Sequence, residues 1–584
     1  MILNLSKIAC ITFMLAQIWT SPTKAQGFLR ADGHNILNEK NENVLLRGIG
    51  LGGWMLQEGY MLKFGKEGQQ YRIRERIAEI VGKTQSDNFY KAWLANHTRK
   101  ADIDSLKAWG FNSVRLPMHF NLYTLPVDQE PAAGQQTWLE EGFAMTDSLL
   151  NWCKANQMYL ILDLHAAPGG QGNDLNISDR DPSKPSLWES EANQQKTIAL
   201  WKKLAERYAT EPWIGAYDIL NEPNWGFQDP AGDKNGTKEK GNGPLKKLMQ
   251  EITAAIREVD QKHIVIIEGN GWGNNYNGIL PPWDKNMVLS FHKYWSYNDP
   301  SSADHILKMR EQYNIPVWIG ETGENSNVWF TEAIRLFEKH NIGWAWWPLK
   351  KIGINNPMEI KSNPGYDALL RYTAGRGDKP SAEQTYAGLM KLAEDLKVEN
   401  TVIHRDVIDA MMRQPRSAES KPFKKHVLGK SLLVNAVDYD LGRNGLAYFD
   451  KDTADYHVST GKHTPGNRGG AYRNDGVDIE WSEDGYVVSN TESGEWLQYT
   501  IDVVASGNYV LTLDVAAKER IGELGFSIDG TLIAKGLKIP DTGGFGNFQT
   551  IKTNGFKLQK GKHQVRILID AGGFNLRQLQ FVKN

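Results

Sequence analysis

Between residues 27 and 351 the chain repeats one pattern eight times: a short apolar run, a loop, then a longer amphipathic stretch. The runs are 44–51, 113–117, 159–165, 214–222, 263–269, 287–292, 316–321 and 342–347. Segments such as 101–109, 142–156, 191–208, 245–260, 303–313 and 329–340 lie between them and space their apolar residues as helices do. Strands buried on both faces read as unbroken apolar runs, and their alternation with helices predicts a parallel sheet. Eight such units close into an α/β fold, the (β/α)8 or TIM barrel. Its chemistry sits at the C-terminal ends of the strands.

The polar residues collect at those ends. The first run leads into Arg47-Gly48-Ile49-Gly50-Leu51-Gly52-Gly53-Trp54, and the second carries Arg115 and then His119. The third ends Asp163-Leu164-His165, the fourth Asn221-Glu222-Pro223, and the fifth holds Glu268 ahead of Trp272. The sixth gives His292-Lys293-Tyr294-Trp295, the seventh ends at Glu321, and the eighth closes Trp344-Ala345-Trp346-Trp347. Two glutamates, Glu222 and Glu321, thus stand at the ends of two buried strands. Such a pair is what a retaining glycosidase needs, one as nucleophile and one as acid/base. His165, His292 and Glu222 lack any short fixed spacing such as His-x3-His, so no catalytic metal is expected.

Charge excludes other classes. Lys plus Arg number 67 and Asp plus Glu 69, a balance that argues against a nucleic-acid partner or a polybasic membrane surface. Tryptophan is abundant: 17 of the 20 fall between Trp54 and Trp347. Some fill the core, and the others are suited to stack on sugar rings. Residues 1–25 read as a secretory signal, with Lys7, an apolar run over 8–18 and a cleavage site at Thr23-Lys24-Ala25. That run is too short to cross a bilayer and no other stretch reads as a membrane span. Lys7 also stands where a lipoprotein signal ending at Cys10 would want an apolar residue. The expected location is secreted or periplasmic. The mature chain would keep one cysteine, Cys153, as a small buried hydrophobe without a disulfide.

The strand-end motifs, in this order over residues 27–375, resemble glycoside hydrolase family 5. The resemblance implies a retaining mechanism with Glu222 as acid/base and Glu321 as nucleophile. Arg115 would stand beside Glu321, and Tyr294 would hydrogen-bond it. Asn221 would hold the sugar 2-hydroxyl, His165 and His292 would bind hydroxyls or tune the acid/base, and Trp347 would lie under the reacting sugar. Glu268 is a third carboxylate in reach of the pair, and His119 a weaker substrate contact. The Gly-rich loop after His165 and the Leu-Gly-Gly-Trp run through Glu58 are similar to the exo-β-1,3-glucanase-like branch. The expected partner is therefore a β-glucan polysaccharide or oligosaccharide, 1,3- or 1,6-linked ahead of 1,4-linked. A β-mannan served by the same pair, or a glycan-binding protein on an inactive barrel, are the alternatives.

Residues 376–430 read as a helical extension, with helical spacing over 381–396 and 402–412, and then a linker or strapped connector over 414–430. From 431 to 584 helical patterns vanish. Short alternating runs at 496–503, 509–515, 525–528 and 563–569 are separated by Gly/Asn/Asp turns, which predicts an all-β sandwich of jelly-roll type. Arg468 to Arg473, Gly476 to Glu480, Gly494 to Tyr499, Thr542 to Phe545 and Gly572 to Asn575 resemble carbohydrate-binding module family 6. The resemblance implies a sugar site using Phe545 and Asn575, with Asn490 where a second aromatic is usual. It also implies a structural calcium, but Ala436-Val437 stands where the family has a ligand glutamate. No cofactor is expected for catalysis.

Overall fold

The computed structural model of the protein describes residues 27–584, apart from 66–67, 453–455, 458–461, 464–465 and 520–521. The leader expected over residues 1–25 lies outside the described residues.

All eight apolar runs form strands of one parallel sheet: Arg47–Ile49, Ser113–His119, Tyr159–Ala166, Ile214–Asp218, Ile264–Glu268, Met287–Lys293, Val317–Gly323 and Trp344–Trp347. From the second strand on, each pairs with the next, and the last pairs back onto the first. The barrel closes where Leu51 N–H donates to the Arg115 carbonyl at 3.0 Å. Every residue of the last seven strands is buried. That is why they read as continuous apolar runs rather than alternating ones.

The expected helices surround the barrel. Glu191–Tyr208 shows the local logic: Ser190 Oγ accepts from Asn193 N–H at its start, and Thr197, Leu200, Trp201, Leu204 and Tyr208 make one buried stripe. Two helices were not anticipated, Gln70–Val81 and Lys83–His97, between the first and second strands. They pack with Pro364–Thr373 and Ala382–Asp395 into a separate apolar core. Gln70–Val81 buries Ile73, Ile77, Ile80 and Val81 in one stripe, whereas Lys83–His97 mixes buried polar and aromatic residues (Ser86, Phe89, Tyr90, Trp93 and His97) and shows no clean one. The extension helix Arg405–Met412 packs on the barrel helix Asn327–Lys339.

The C-terminal region is a two-sheet sandwich with its own core. One sheet runs His426–Leu428, Trp496–Val503, Gly561–Ala571, Gly522–Ile528, Thr531–Ile539, and the other is centred on Phe574–Lys583 and Gly507–Ala517. His426–Leu428 pairs in parallel with Trp496–Val503. The boundary expected between 430 and 431 therefore falls inside the sandwich, because the end of the connector is itself a strand.

Lys350 ties the barrel to the helical extension. Its ammonium, wholly buried, donates to Asp102 Oδ1 at 2.7 Å and to the carbonyls of His97 and Leu396. Asp102→Ala would leave that ammonium without its counter-charge. We expect a loss of about 3–5 kcal/mol, read as an earlier first transition in urea unfolding followed by tryptophan fluorescence.

Candidate active site

Arg115 lies at the middle of the barrel mouth with no solvent exposure. Its guanidinium donates to Asp218 Oδ2 (2.9 Å), Glu321 Oε1 (2.5 Å), Asn221 Oδ1 (2.8 Å) and Glu268 Oε1 (3.3 Å), and pairs with Asp163 at 3.2 Å. One cation thus holds side chains from four other strands and from the turn after Ile214–Asp218. Burial pushes Asp163 up and Asp218 well above the usual carboxylate range, against the pull of Arg115. That relieves the crowding of acids around a single positive charge.

Glu222 and Glu321 face each other across this hub, with oxygen atoms within 4.8 Å. Glu321 accepts a second hydrogen bond from Tyr294 Oη at 3.2 Å. Glu222 sits just past its strand with φ 42°, a strained backbone for a residue with a Cβ. The strain is locked by Glu268, whose Oε2 accepts the Glu222 N–H at 2.7 Å. His292 bridges the same two acids, donating Nδ1–H to Glu222 Oε1 at 2.6 Å and Nε2–H to Glu268 Oε1 at 3.1 Å. Burial would lower this imidazole, but Glu268, Glu321 and Glu222 together hold it well above its ordinary value. Burial pushes Glu222 up to about 7, with His292 opposing and Glu321 adding to the rise. Glu268 goes the other way: burial would raise it, but His292 and Arg115 hold it below the usual range.

His165 donates Nδ1–H to Asp163 at 2.8 Å and stacks on the Trp347 ring, centroids 5.2 Å apart and planes 4° from parallel. Asn221 Nδ2 lies 3.3 Å from His165 Nε2. The close glycine run explains where Trp347 can lie. A Cβ on Gly50 would meet the indole at 2.7 Å, and one on Gly52 at 2.5 Å. Gly320 likewise leaves room for His292, whose Nε2 would be 2.9 Å from an added Cβ. Above these residues opens a cavity of about 600 Å³ lined by Glu58, His165, Glu222, His292, Tyr294, Glu321 and Trp347.

Residues 76–352 match the family described as Cellulase (glycosyl hydrolase family 5), and residues 471–583 match Carbohydrate binding module (family 6). The barrel is a family 5 glycosyl hydrolase domain. The chain is 27% identical over 380 residues to a beta-xylosidase of Phanerodontia chrysosporium, covering 59% of this chain and 75% of that one. It is 28% identical over 367 residues to endoglucanase C of Acetivibrio thermocellus, covering 52% and 91%. It is 24% identical over 307 residues to a probable glucan 1,3-beta-glucosidase A of Aspergillus clavatus, covering 51% and 66%. Among solved structures it is similar to the C-terminal family 6 module of LamC from Zobellia galactanivorans, with 22% identity, 26% and 99% coverage and a TM-score of 0.20. The protein is a glycoside hydrolase of the kind that acts on polysaccharide.

In this family 5 barrel the residues expected at the site, Arg115, His165, Asn221, Glu222, His292, Tyr294, Glu321 and Trp347, all converge on one cavity or on its floor. His119 does not. Its imidazole pairs with Asp179 at 3.0 Å and accepts the Asn121 N–H, away from the cavity. Most of the abundant tryptophan is packing: Trp93, Trp201, Trp318, Trp329, Trp344 and Trp346 are fully buried. Trp272, Trp295 and Trp347 line the cavity. Three site residues escaped the sequence reading. Asp218 gave a signal, a carboxylate inside an apolar run. Tyr60 and Glu324 gave none, since Tyr60 lies in a single short 3-10 turn, Gly59–Leu62, and Glu324 in a loop, where no periodicity marks them. Tyr60 Oη accepts from Trp347 Nε1 at 2.9 Å, and Glu324 pairs with Lys351 at 2.5 Å.

Among the described residues, two groups have ligand atoms close enough to hold a metal, Asp163–His165–Glu321 and Glu222–His292–Glu321. In both, the imidazole is already hydrogen-bonded to carboxylates, as above. In the family 6 module Phe545 is half exposed, and Asn575 donates to the Phe545 carbonyl at 3.1 Å. Asn490, where a second ring is usual, donates its amide to Glu480. Val437 is packed into the sandwich core, and the neighbouring Asp438 is paired with Lys424 at 3.0 Å and accepts the Tyr472 hydroxyl. These residues do not fit a calcium ion.

His292 is the group that opposes the rise of Glu222. With His292→Ala, burial and Glu321 act on Glu222 unopposed. An infrared carboxyl titration is expected to find one group protonating near 7 in the wild type and the same group shifted upward in the variant.

Proposed function

We propose that the protein is a secreted retaining β-glycosidase that removes sugar from the ends of a β-glucan, with 1,3 and 1,6 links ahead of 1,4. The observation that carries the reading is the carboxyl pair. Glu222 and Glu321 stand within 4.8 Å, a separation suited to direct attack rather than to an intervening water. One of the two, Glu222, keeps its proton up to about pH 7.

The chemistry follows from that asymmetry. A Glu321 carboxylate oxygen attacks the anomeric carbon while the bond from that carbon to the leaving oxygen breaks. Glu222 gives its proton to the leaving oxygen, and the sugar is left as an ester of Glu321. Glu222, now a carboxylate, takes a proton from water. The water oxygen attacks the same carbon and Glu321 is released. Two inversions return the original configuration. Asn221, oriented by Arg115, is placed to meet the sugar 2-hydroxyl, and Trp347 offers its ring below the sugar.

Two things favour attack at chain ends. The Trp347 side of the cavity is walled by Tyr60, by Glu58 and by the Glu324–Lys351 pair, with the Lys351 ammonium 5.8 Å from the Tyr60 ring centre. Two of the relatives carry names of enzymes that take terminal sugars, the xylosidase and the 1,3-glucosidase.

Incubation with laminarin, a 1,6-glucan, mixed-link glucan, carboxymethylcellulose and mannan tests the substrate. Glucose as the sole product from laminarin or the 1,6-glucan is expected. A ladder of oligosaccharides, or release from mannan alone, would overturn the reading. The first product seen by proton NMR is expected to be the β-anomer. Glu321→Ala is expected to abolish turnover. Glu222→Gln should cost about 10²–10⁴-fold on natural glycans and much less on aryl glycosides whose leaving group needs no proton. Because the raised Glu222 loses its proton as pH rises through about 7, kcat/KM should fall on that side, and the fall should vanish in Glu222→Gln.

A further inference from the structure

The strand that delivers Glu321 ends at Gly323, and the next residue is Glu324. Its carboxylate lines the cavity, and its backbone has φ 52°. A left-handed backbone at a residue with a Cβ persists only when its surroundings over-determine it. Here the following residues are fixed from outside the barrel. Asn325, Ser326 and Asn327 are all but fully buried, and the sandwich segment Arg473-Asn474-Asp475 covers them.

Asn474 clasps this loop with three hydrogen bonds. Its side-chain amide donates to the Asn325 carbonyl at 2.8 Å and to Asn327 Oδ1 at 3.2 Å, and its own carbonyl accepts the Asn327 N–H at 3.0 Å. Its N–H donates to Asp406 Oδ2 at 2.8 Å, on the extension helix, and Asn327 Nδ2 donates to the same oxygen at 2.8 Å. Asn327 Nδ2 also reaches Asp475 Oδ1 at 3.0 Å. Asp475 is held in turn by Arg473 at 2.7 Å and by the hydroxyls of Tyr439 and Tyr448. Barrel, extension and sandwich meet in one buried polar knot. Buried polar groups of this kind tolerate little displacement, because any group that loses its partner is left unsatisfied.

We propose that Asn474 is a positioning residue for the sugar pocket: the sandwich, through Asn474, sets the loop that carries Glu324 and so shapes the walled end of the cavity. The binding module is then a working part of the catalytic unit and not only a tethered sugar anchor. This rests on reading the cavity as the site for a terminal sugar.

The test uses the full chain and three variants. Asn474→Ala removes the donor to the Asn325 carbonyl. Asn474→Asp keeps the side chain's size but cannot donate there, and so guards against loss of fold through a cavity. Tyr448→Phe weakens the hold on Asp475 and leaves every contact of Asn474 in place. In both Asn474 variants, hydrogen exchange in peptides spanning 320–328 is expected to quicken. KM is expected to rise roughly three- to tenfold, the net worth of about one hydrogen bond, with kcat little changed. Tyr448→Phe should lower the melting temperature and move neither readout. Unchanged exchange over 320–328 in both Asn474 variants, or an equal rise of KM in Tyr448→Phe, would overturn the proposal. If the wild type released sugar from no substrate, the functional reading would fall, and the exchange comparison would still decide whether Asn474 sets the loop.

Discussion

Among the described residues, the guanidinium of Arg115 is the only cationic side chain within bonding distance of Asp163, Asp218, Glu268 and Glu321 together. Those four acids come from four different strands. A buried carboxylate without a partner costs several kcal/mol, so the barrel can bring them to one point only around a cation. Arg115 suits the task because its planar fork can serve several acceptors at fixed angles and does not lose its charge. The aim of the other site residues depends on this arrangement. Glu321 is aimed because Arg115 holds one oxygen and Tyr294 the other. Asn221 is aimed because its carbonyl oxygen is spent on Arg115, which leaves its amide for His165.

The same hub separates the two working carboxyls in character. Glu321 has Arg115 against it. Glu222 has no cation of that strength, only His292, and His292 is shared with Glu268. Burial therefore prevails at Glu222 and keeps its proton to about pH 7. Two glutamates of identical chemistry thus meet different surroundings, which is what the proposed division of roles between them needs. The strained backbone of Glu222, fixed by a bond from Glu268 to its N–H, is part of that device, since it turns the side chain toward His292 instead of along the strand.

Close packing underlies the rest of the pocket. The Trp347 ring lies against Gly50 and Gly52, where an added Cβ would collide with it, and His165 is stacked flat on it. The indole N–H is taken by Tyr60, which anchors the wall at that end. On the far side of the strand that carries Glu321 the sandwich takes over as support. The glycosidase site is thus braced from within by one arginine and from without by a module that the chain adds much later.

Much of this was legible in the sequence for a physical reason. Barrel strands buried on both faces leave an unbroken apolar run, and the barrel's chemistry is confined to strand ends, so Glu222, Glu321, Arg115 and His292 stood out by position. The alternating runs of the sandwich were equally plain. The helix Lys83–His97 was not, because its buried face mixes polar and aromatic residues, and Gln70–Val81 was missed although Ile73, Ile77, Ile80 and Val81 carry helical spacing. Other features rest on contacts between residues far apart in the chain: the proton affinity of Glu222, the places of Tyr60 and Glu324, the failure of His119 to reach the cavity, and the grip of Asn474 on a loop 149 residues earlier. No local pattern records such contacts. The sequence by itself determined the two folds and the glutamate pair at the strand ends, since periodicity and strand ends are local properties. The tertiary structure alone decided how the acids are tuned and how the two folds are joined, since burial and buried hydrogen bonds exist only once distant segments meet.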